Sequence, residues 1–309
     1  MTSRAPPFRL RLLSPLHWPA WFGLGLLWLL SRMPYRTLMA IGRSLGWLIA
    51  RVPGSRRRIA ERNIERCFPE LAAPERARLL EQNLRDVGLM VVEFALAWMG
   101  SHRAIAQVPL TIEGIEHIEA ATARGQGVLL TGAHFSHLEL AGRLLVERGG
   151  VELAGMYREH GDAAFEWVIR RKRQHYAATM FTKNEVRACV RYMRAGGRIW
   201  YAPDQDMRGK DTVFVPFFGI SASTLTATHH LARLSGACVI AFFHRRLPDG
   251  GYALRLEAPL AEFPGDDVTI DTARINAMIE RMVREAPSQY LWIHRRFKSR
   301  PLGEPSIYD

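Results

Sequence analysis

Apolar positions along the chain change their spacing twice, and each change marks a different kind of element. Leu16 to Leu30 (LHWPAWFGLGLLWLL) is apolar apart from His17, with Arg4, Arg9 and Arg11 before it and Arg32 and Arg36 after it. The run is shorter than the ~20 residues that a straight membrane span prefers. A buried core helix is one reading, but Trp18, Trp21 and Trp28 in one short run suit a membrane–water interface better. An N-terminal hydrophobic membrane-anchoring helix is expected, either spanning the bilayer or lying in its interface. A cleaved signal peptide fits poorly, because SRMPYR follows where a small-residue cleavage site belongs. From Thr37 to Val52, Leu38, Ile41, Leu45, Leu48 and Ile49 recur at helical spacing, as on an amphipathic helix along a membrane or a core helix. Residues 1–52 therefore read as anchor and amphipathic helix. Residues 53–309 read as one domain, which the Arg51, Arg56, Arg57, Arg58, Arg62 and Arg66 cluster places on the cytoplasmic side.

Residues 56–104 carry helical periodicity, broken at Phe68-Pro69 and reopened at Pro74. Short apolar runs then alternate with amphipathic ones. Strands are expected at Gln126–Thr131, Val151–Met156, Ala178–Phe181, Arg198–Ala202 and Cys238–Arg245. Helices are expected at Leu138–Glu147, Ala163–His175, Glu185–Met193, Thr224–Leu234 and Ile270–Glu285. Tyr252–Glu257 pairs back across LPDGG as a hairpin partner. This order predicts an α/β fold, a mainly parallel or mixed sheet flanked by helices, with function at the carboxyl ends of the strands.

Composition narrows the partners. The 42 Lys+Arg against 30 Asp+Glu leave a formal charge of +12 over 309 residues. That suits nucleic acid, anionic lipid headgroups or an acidic carrier protein. Only Lys172, Lys183, Lys210 and Lys298 are lysines. A GC-rich genome produces the same preference for Arg, so the net charge carries the argument and the choice of Arg does not. Cys67, Cys189 and Cys238 are far apart and form no CxxC pair, which points to a reducing compartment.

The candidate chemistry starts at the first of these strands, which runs out into Gly132-Ala133-His134-Phe135-Ser136-His137-Leu138-Glu139. A strand-end His with a carboxylate behind it is a general base held in one tautomer. Ser136-x-x-Glu139 is equally a helix capping box, and both readings stand at this point. His134, His137 and Glu139 lack the HExxH spacing of a zinc site. No G-x-S-x-G elbow, P-loop or dinucleotide fingerprint occurs. Arg158, after Tyr157 at the next strand end, suits a phosphate or an oxyanion, and equally a surface ion pair. Pro203-Asp204-Gln205-Asp206 follows the Arg198–Ala202 strand, and suits loop ordering or polar headgroups. Val213–Gly219 (VFVPFFG) reads as core or acyl-pocket lining, and Tyr290–Lys298 (YLWIHRRFK) as a headgroup or phosphate contact or a solvated basic tail.

Six motifs stand in order: Cys67-Phe68-Pro69, His134 with Glu139, Tyr157-Arg158, Tyr201 to Asp206, Val213 to Gly219, and Tyr290 to Lys298. Together they resemble the late acyltransferases of lipid A biosynthesis, of the lauroyl and myristoyl type, over nearly the whole chain. The resemblance implies a glycerolipid-acyltransferase-like enzyme at the bacterial inner membrane, facing the cytoplasm. It would move an acyl group from acyl-carrier protein to a hydroxyl on an acyl chain of a lipid A precursor (Kdo-lipid IVA or its lauroylated form). It implies His134 as base, Glu139 orienting it, and Arg158 on the oxyanion or a substrate phosphate. Tyr157, Asp204, Gln205, Asp206, Arg295 and Arg296 are implied on the substrate, with no metal, cofactor or nucleic acid. The chain departs from the family pattern at Leu138, where Trp is frequent, and at Met207-Arg208-Gly209, where Tyr-Gly is. Both departures bear on acyl-chain or acceptor preference. Another glycolipid or aminolipid acceptor is the alternative, as is a metal-dependent lipid hydrolase, which a chelator would inhibit.

Overall fold

A computed structural model describes residues 7–309. After two short 3-10 turns, four helices lead the chain: α1 (Trp18–Leu30), α2 (Tyr35–Ile49), α3 (Ser55–Cys67) and α4 (Ala73–Met99). The alternating body follows as α5 (His102–Ala106), β1 (Leu110–Glu113), α6 (Ile115–Ala123), β2 (Val128–Thr131), α7 (Leu138–Glu147), β3 (Ala154–Tyr157), α8 (Ala163–Arg173) and β4 (Met180–Thr182). It continues with α9 (Val186–Arg194), β5 (Arg198–Tyr201), β6 (Thr212–Phe217), β7 (Ile220–Leu225), α10 (Ala227–Ser235), β8 (Cys238–Arg246), β9 (Tyr252–Leu256) and α11 (Val268–Glu285).

Local chemistry sets several helix starts. Asp162 accepts from Phe165 N at the head of α8, and Asp267 accepts from Thr269 N and Ile270 N at the head of α11. These side chains satisfy backbone donors that a first turn leaves unpaired. At α4, Pro74 occupies the first turn and Glu75 accepts from Ala72 N.

Among the described residues, seven strands form one mixed sheet in the order β1-β9-β8-β2-β5-β3-β4, and β6 pairs with β7 apart from it. Every pairing in the large sheet is parallel except β8–β9, the hairpin expected across LPDGG. β2 is buried throughout at its centre. Alternate residues point to opposite faces. Leu129, Val239 and Ala241 therefore join one core layer with α10 and α11, while Val128, Leu130, Ile240 and Phe242 join the other with α4 and α7.

Two expectations change. No helix among the described residues is long and apolar enough to cross a membrane. The expected anchor is the 13-residue α1, which packs with α2 on α4, and Leu24, Leu38 and Met39 share the α4–α7 core layer. A spanning helix is thus not supported. The α2–α4 crossing is close: a Cβ on Gly88 would lie 2.1 Å from Gly46 N, and one on Gly46 would lie 2.2 Å from Arg85 O.

The run Val213–Gly219 forms β6 and its turn, not an acyl-pocket wall. Phe218 (φ 52°) and Gly219 (φ 73°) make the two-residue loop to β7. Hairpin loops of this length favour positive φ at both positions. Phe217 and Phe218 bury their rings with Phe68, Trp292 and Phe297. Because β7 takes up Thr224 and Leu225, the following helix begins at Ala227 rather than Thr224.

Candidate active site

β2 and β5 are parallel neighbours with Thr131 opposite Tyr201. His134 and Asp204 each lie three residues beyond that pair, and so meet at the carboxyl edge of the sheet. Asp204 accepts twice from His134: Oδ2 from the backbone N–H at 2.9 Å, and Oδ1 from ring Nδ1 at 2.6 Å. Asp204 is buried, whereas the His134 side chain is 27% exposed. Nε2 of His134 makes no hydrogen bond among the described residues, and the ring lines a cavity of about 430 Å³. Gly132 permits this exit from the strand, since a Cβ there would lie 2.5 Å from Phe242 O.

The electrostatics follow from the pairing. Burial opposes a charge on His134, but the Asp204 carboxylate, by charge and hydrogen bond, outweighs it, and Glu139 adds to the effect. The imidazole pKa is raised. Burial likewise works against the Asp204 charge, and His134 overcomes it, so that carboxyl stays below its ordinary range.

The resemblance implied that Glu139 orients His134; here Asp204 holds Nδ1, Glu139 makes no hydrogen bond to the ring, and it does not cap α7 with Ser136. Its carboxylate accepts from Arg173 at 2.5 and 3.1 Å and from Trp98 Nε1 at 2.7 Å. Burial is again outweighed, here by Arg173 and then Trp98, so Glu139 remains ionised. Ser136 accepts from Arg246 Nη2 at 3.0 Å. Arg246 in turn donates to Glu93 and Asp86, and Tyr252 donates to Glu93. This buried network fixes the loop carrying His134 from behind. From the other side, Leu291 N donates to His134 O and Ser136 N to Gln289 O. Residues Gln289 to Leu291 thus clamp the loop that carries His134.

The remaining candidates divide. Tyr157, Arg158 and Gln205 line the His134 cavity. The Tyr157 hydroxyl donates to Glu166 at 2.6 Å. Asp206 accepts from Ser299 N and Oγ, tying the loop to the C-terminal segment. Arg296 is no headgroup contact: it is 2% exposed and donates to Ser223 O and Thr224 Oγ1. Arg295 is exposed over the Tyr308 ring and is not part of the cavity wall. His137, three residues after His134, is no part of the cavity: it is buried against His244 and Tyr252, and burial holds its pKa low.

Arg173, Trp200 and Lys183 also line the cavity, and Trp98 holds Glu139 from behind it; no motif in the sequence marks any of the four. Trp200 stands edge-on to His134 with ring centres 5.9 Å apart. A narrower apolar pocket of about 90 Å³ shares Leu138, Glu139, Met156, Tyr157, Arg173 and Trp200 with the main cavity. It continues to Gly142, Val146 and Phe242. The site thus offers a base, a charged rim and a hydrocarbon-lined extension.

A family model described as bacterial lipid A biosynthesis acyltransferase matches residues 5–299. The chain is 38% identical over 306 residues to the lipid A biosynthesis lauroyltransferase of Escherichia coli (strain K12), covering 98% of this chain and 99% of that one. It is 36% identical over 305 residues to the lipid A biosynthesis palmitoleoyltransferase of the same strain, covering 97% and 98%. It is 34% identical over 313 residues to a lipid A biosynthesis acyltransferase of Haemophilus influenzae, covering 99% of each chain.

Proposed function

Because the chain belongs to the bacterial lipid A biosynthesis acyltransferase family, we propose that it moves an acyl group from the thioester of acyl-carrier protein to a hydroxyl on an acyl chain of a lipid A precursor. The observation that carries this reading is the buried Asp204 carboxylate on Nδ1 of His134, with Nε2 left to the cavity.

Nε2 takes the proton of the acceptor hydroxyl, and the oxygen attacks the thioester carbonyl. Asp204 keeps the proton of His134 on Nδ1 and stabilises the imidazolium that forms. The tetrahedral intermediate collapses with loss of the thiolate, which receives the proton back from Nε2. The ester and the carrier-protein thiol are the products, and no enzyme-bound acyl group is required. The Glu139 charge adds to the stabilisation of the imidazolium, and its bonds to Arg173 and Trp98 hold the shared wall of the two pockets. The apolar extension past Gly142 and Val146 takes the acyl tail.

The same reading places the protein on the cytoplasmic face of the inner membrane. Leu16, Trp18, Phe22, Leu26 and Leu29 are exposed along the 3-10 turn before α1 and along α1 itself, with Arg11 and Arg32 at either end. Arg32 lies over Trp28 and Arg51 over Trp47. An apolar helix face rimmed by Arg suits in-plane association with an anionic leaflet. The +12 charge suits the acidic carrier protein as well.

The test is acyl transfer from a panel of acyl-carrier-protein thioesters to a tetra-acylated lipid A precursor, read by mass spectrometry with and without EDTA. Product from wild type that disappears with His134→Ala and is indifferent to EDTA supports the reading. EDTA-sensitive cleavage of the lipid would replace it with a metal-dependent hydrolase.

A further inference from the structure

We propose that Arg158 and Lys183 form a phosphate-binding rim on the active-site cavity, an inference that rests on the acyl-transfer reading for its substrates. β3 and β4 are parallel with Tyr157 opposite Thr182. Arg158 and Lys183 are the next residue on each strand, so the pairing sets the two cations side by side. Both line the cavity that holds His134, and both are exposed.

Neither makes a hydrogen bond or ion pair among the described residues, although Glu139 lines the same cavity and Glu159 and Glu185 follow close behind them in sequence. Glu139 is taken by Arg173 and Trp98, and Glu159 lies 3.8 Å from Arg170. Glu166 accepts from the Tyr157 hydroxyl and His160 N, and Glu185 accepts from Thr182 N and Oγ1. Two adjacent cations, with Glu139, Glu166 and Glu185 committed to other partners, form a site for an anion with several acceptor oxygens. A planar guanidinium beside an ammonium suits phosphate.

The sheet gives the scale. β2, β5, β3 and β4 are successive neighbours. At about 4.8 Å per strand, the Arg158 and Lys183 backbones stand about 10 and 14 Å along the edge from that of His134. The bound anion therefore belongs to a part of the substrate remote from the reacting carbon, and its binding positions the acceptor or donor for attack. Two phosphates meet that description: one on the sugar of the glycolipid acceptor, and the phosphodiester of the carrier protein's prosthetic arm.

Equilibrium binding separates them and does not depend on turnover. Arg158→Gln, Lys183→Gln and the double variant are compared with Arg191→Gln, which removes one charge from the exposed face of α9. The probes are a bisphosphorylated tetra-acylated glycolipid, its dephosphorylated counterpart, and acyl-carrier-protein thioester. Each rim substitution is expected to weaken one phosphate-bearing probe about tenfold, the effect of losing a charge-assisted hydrogen bond. Loss for the phosphorylated glycolipid alone assigns the rim to the acceptor; loss for the carrier protein alone assigns it to the donor. Affinities for both within twofold of Arg191→Gln overturn the inference. Wild-type protein that binds in this pattern but transfers no acyl group would overturn the proposed reaction and leave the rim standing.

Discussion

Replacing Asp204 by Asn tests the proposed role of the His134–Asp204 pair with almost no change of shape. The carboxylate accepts two hydrogen bonds from one residue, His134 N–H on Oδ2 and Nδ1 on Oδ1. An amide has one oxygen and one NH2 group. Placing NH2 against the backbone N–H would oppose two donors, so the oxygen takes that position and NH2 faces Nδ1. Nδ1 must then accept, the ring proton moves to Nε2, and the nitrogen facing the cavity can no longer take a proton from the hydroxyl. The variant also loses the charge that raises the His134 pKa. General-base catalysis of this kind is worth about 10²–10⁴ in rate, and a fall of that size in kcat is expected. The fold cost is about 1–3 kcal/mol for disturbing a buried hydrogen-bonding group. Single-turnover transfer across a pH series gives the rate, and ¹⁵N chemical shifts of the imidazole give the tautomer. A kcat within threefold of wild type, with the proton still on Nδ1, would refute the reasoning.

Glu139→Gln keeps the bond to Trp98 but removes a charge that raises the His134 pKa; the acid limb of kcat/KM moves to lower pH and the rate falls about tenfold. An unshifted limb in the pH profile would count against that coupling. A Cβ on Gly142 meets nothing within 4 Å, so Gly142→Leu fits the helix and fills the apolar extension. Product analysis with mixed donors is expected to favour shorter acyl chains by about tenfold or more, and an unchanged chain distribution would remove the tail from this pocket. Burial pushes the His244 imidazole down to about 3. Between the ordinary value near ~6.5 and that value the unfolded chain binds the extra proton, so stability is complete above the upper limit and is lost as pH falls through this window, by about 1.4 kcal/mol per pH unit. Urea unfolding between pH 7.5 and 4 should show the slope in wild type and a shallower one in His244→Asn.

The alternation of strands and helices was legible because buried parallel strands and amphipathic helices carry different periods. β1 escaped because its four residues, Leu-Thr-Ile-Glu, alternate on a sheet edge and resemble a loop. The β6–β7 hairpin escaped because its turn is built on Phe218, an aromatic residue at positive φ that tertiary packing holds in place. At the site, His134 and the strand-end position could be read directly. Its partner could not: Glu139 is five residues away in sequence, whereas Asp204 is seventy away and one strand over. Only the β2–β5 register reveals that both residues stand three beyond a paired position. Arg296 misled in the opposite way, since a cation in a basic tail gives no sign that hydrogen bonds to Ser223 and Thr224 bury it.

The glycine crossing between α2 and α4 has a mechanical consequence. With backbone against backbone at Gly46 and Gly88, the joint has no side chains to act as bearings and so allows little slip. α4 carries on from that joint at Gly88 through Met90, Phe94 and Trp98, about 15 Å further along the helix, and these residues border the cavity or hold Glu139. It is a strut. A force that tilts α1 and α2 is transmitted to the cavity wall rather than absorbed on the way, so the seating of these two helices sets the height and attitude at which the cavity meets whatever surface they rest on.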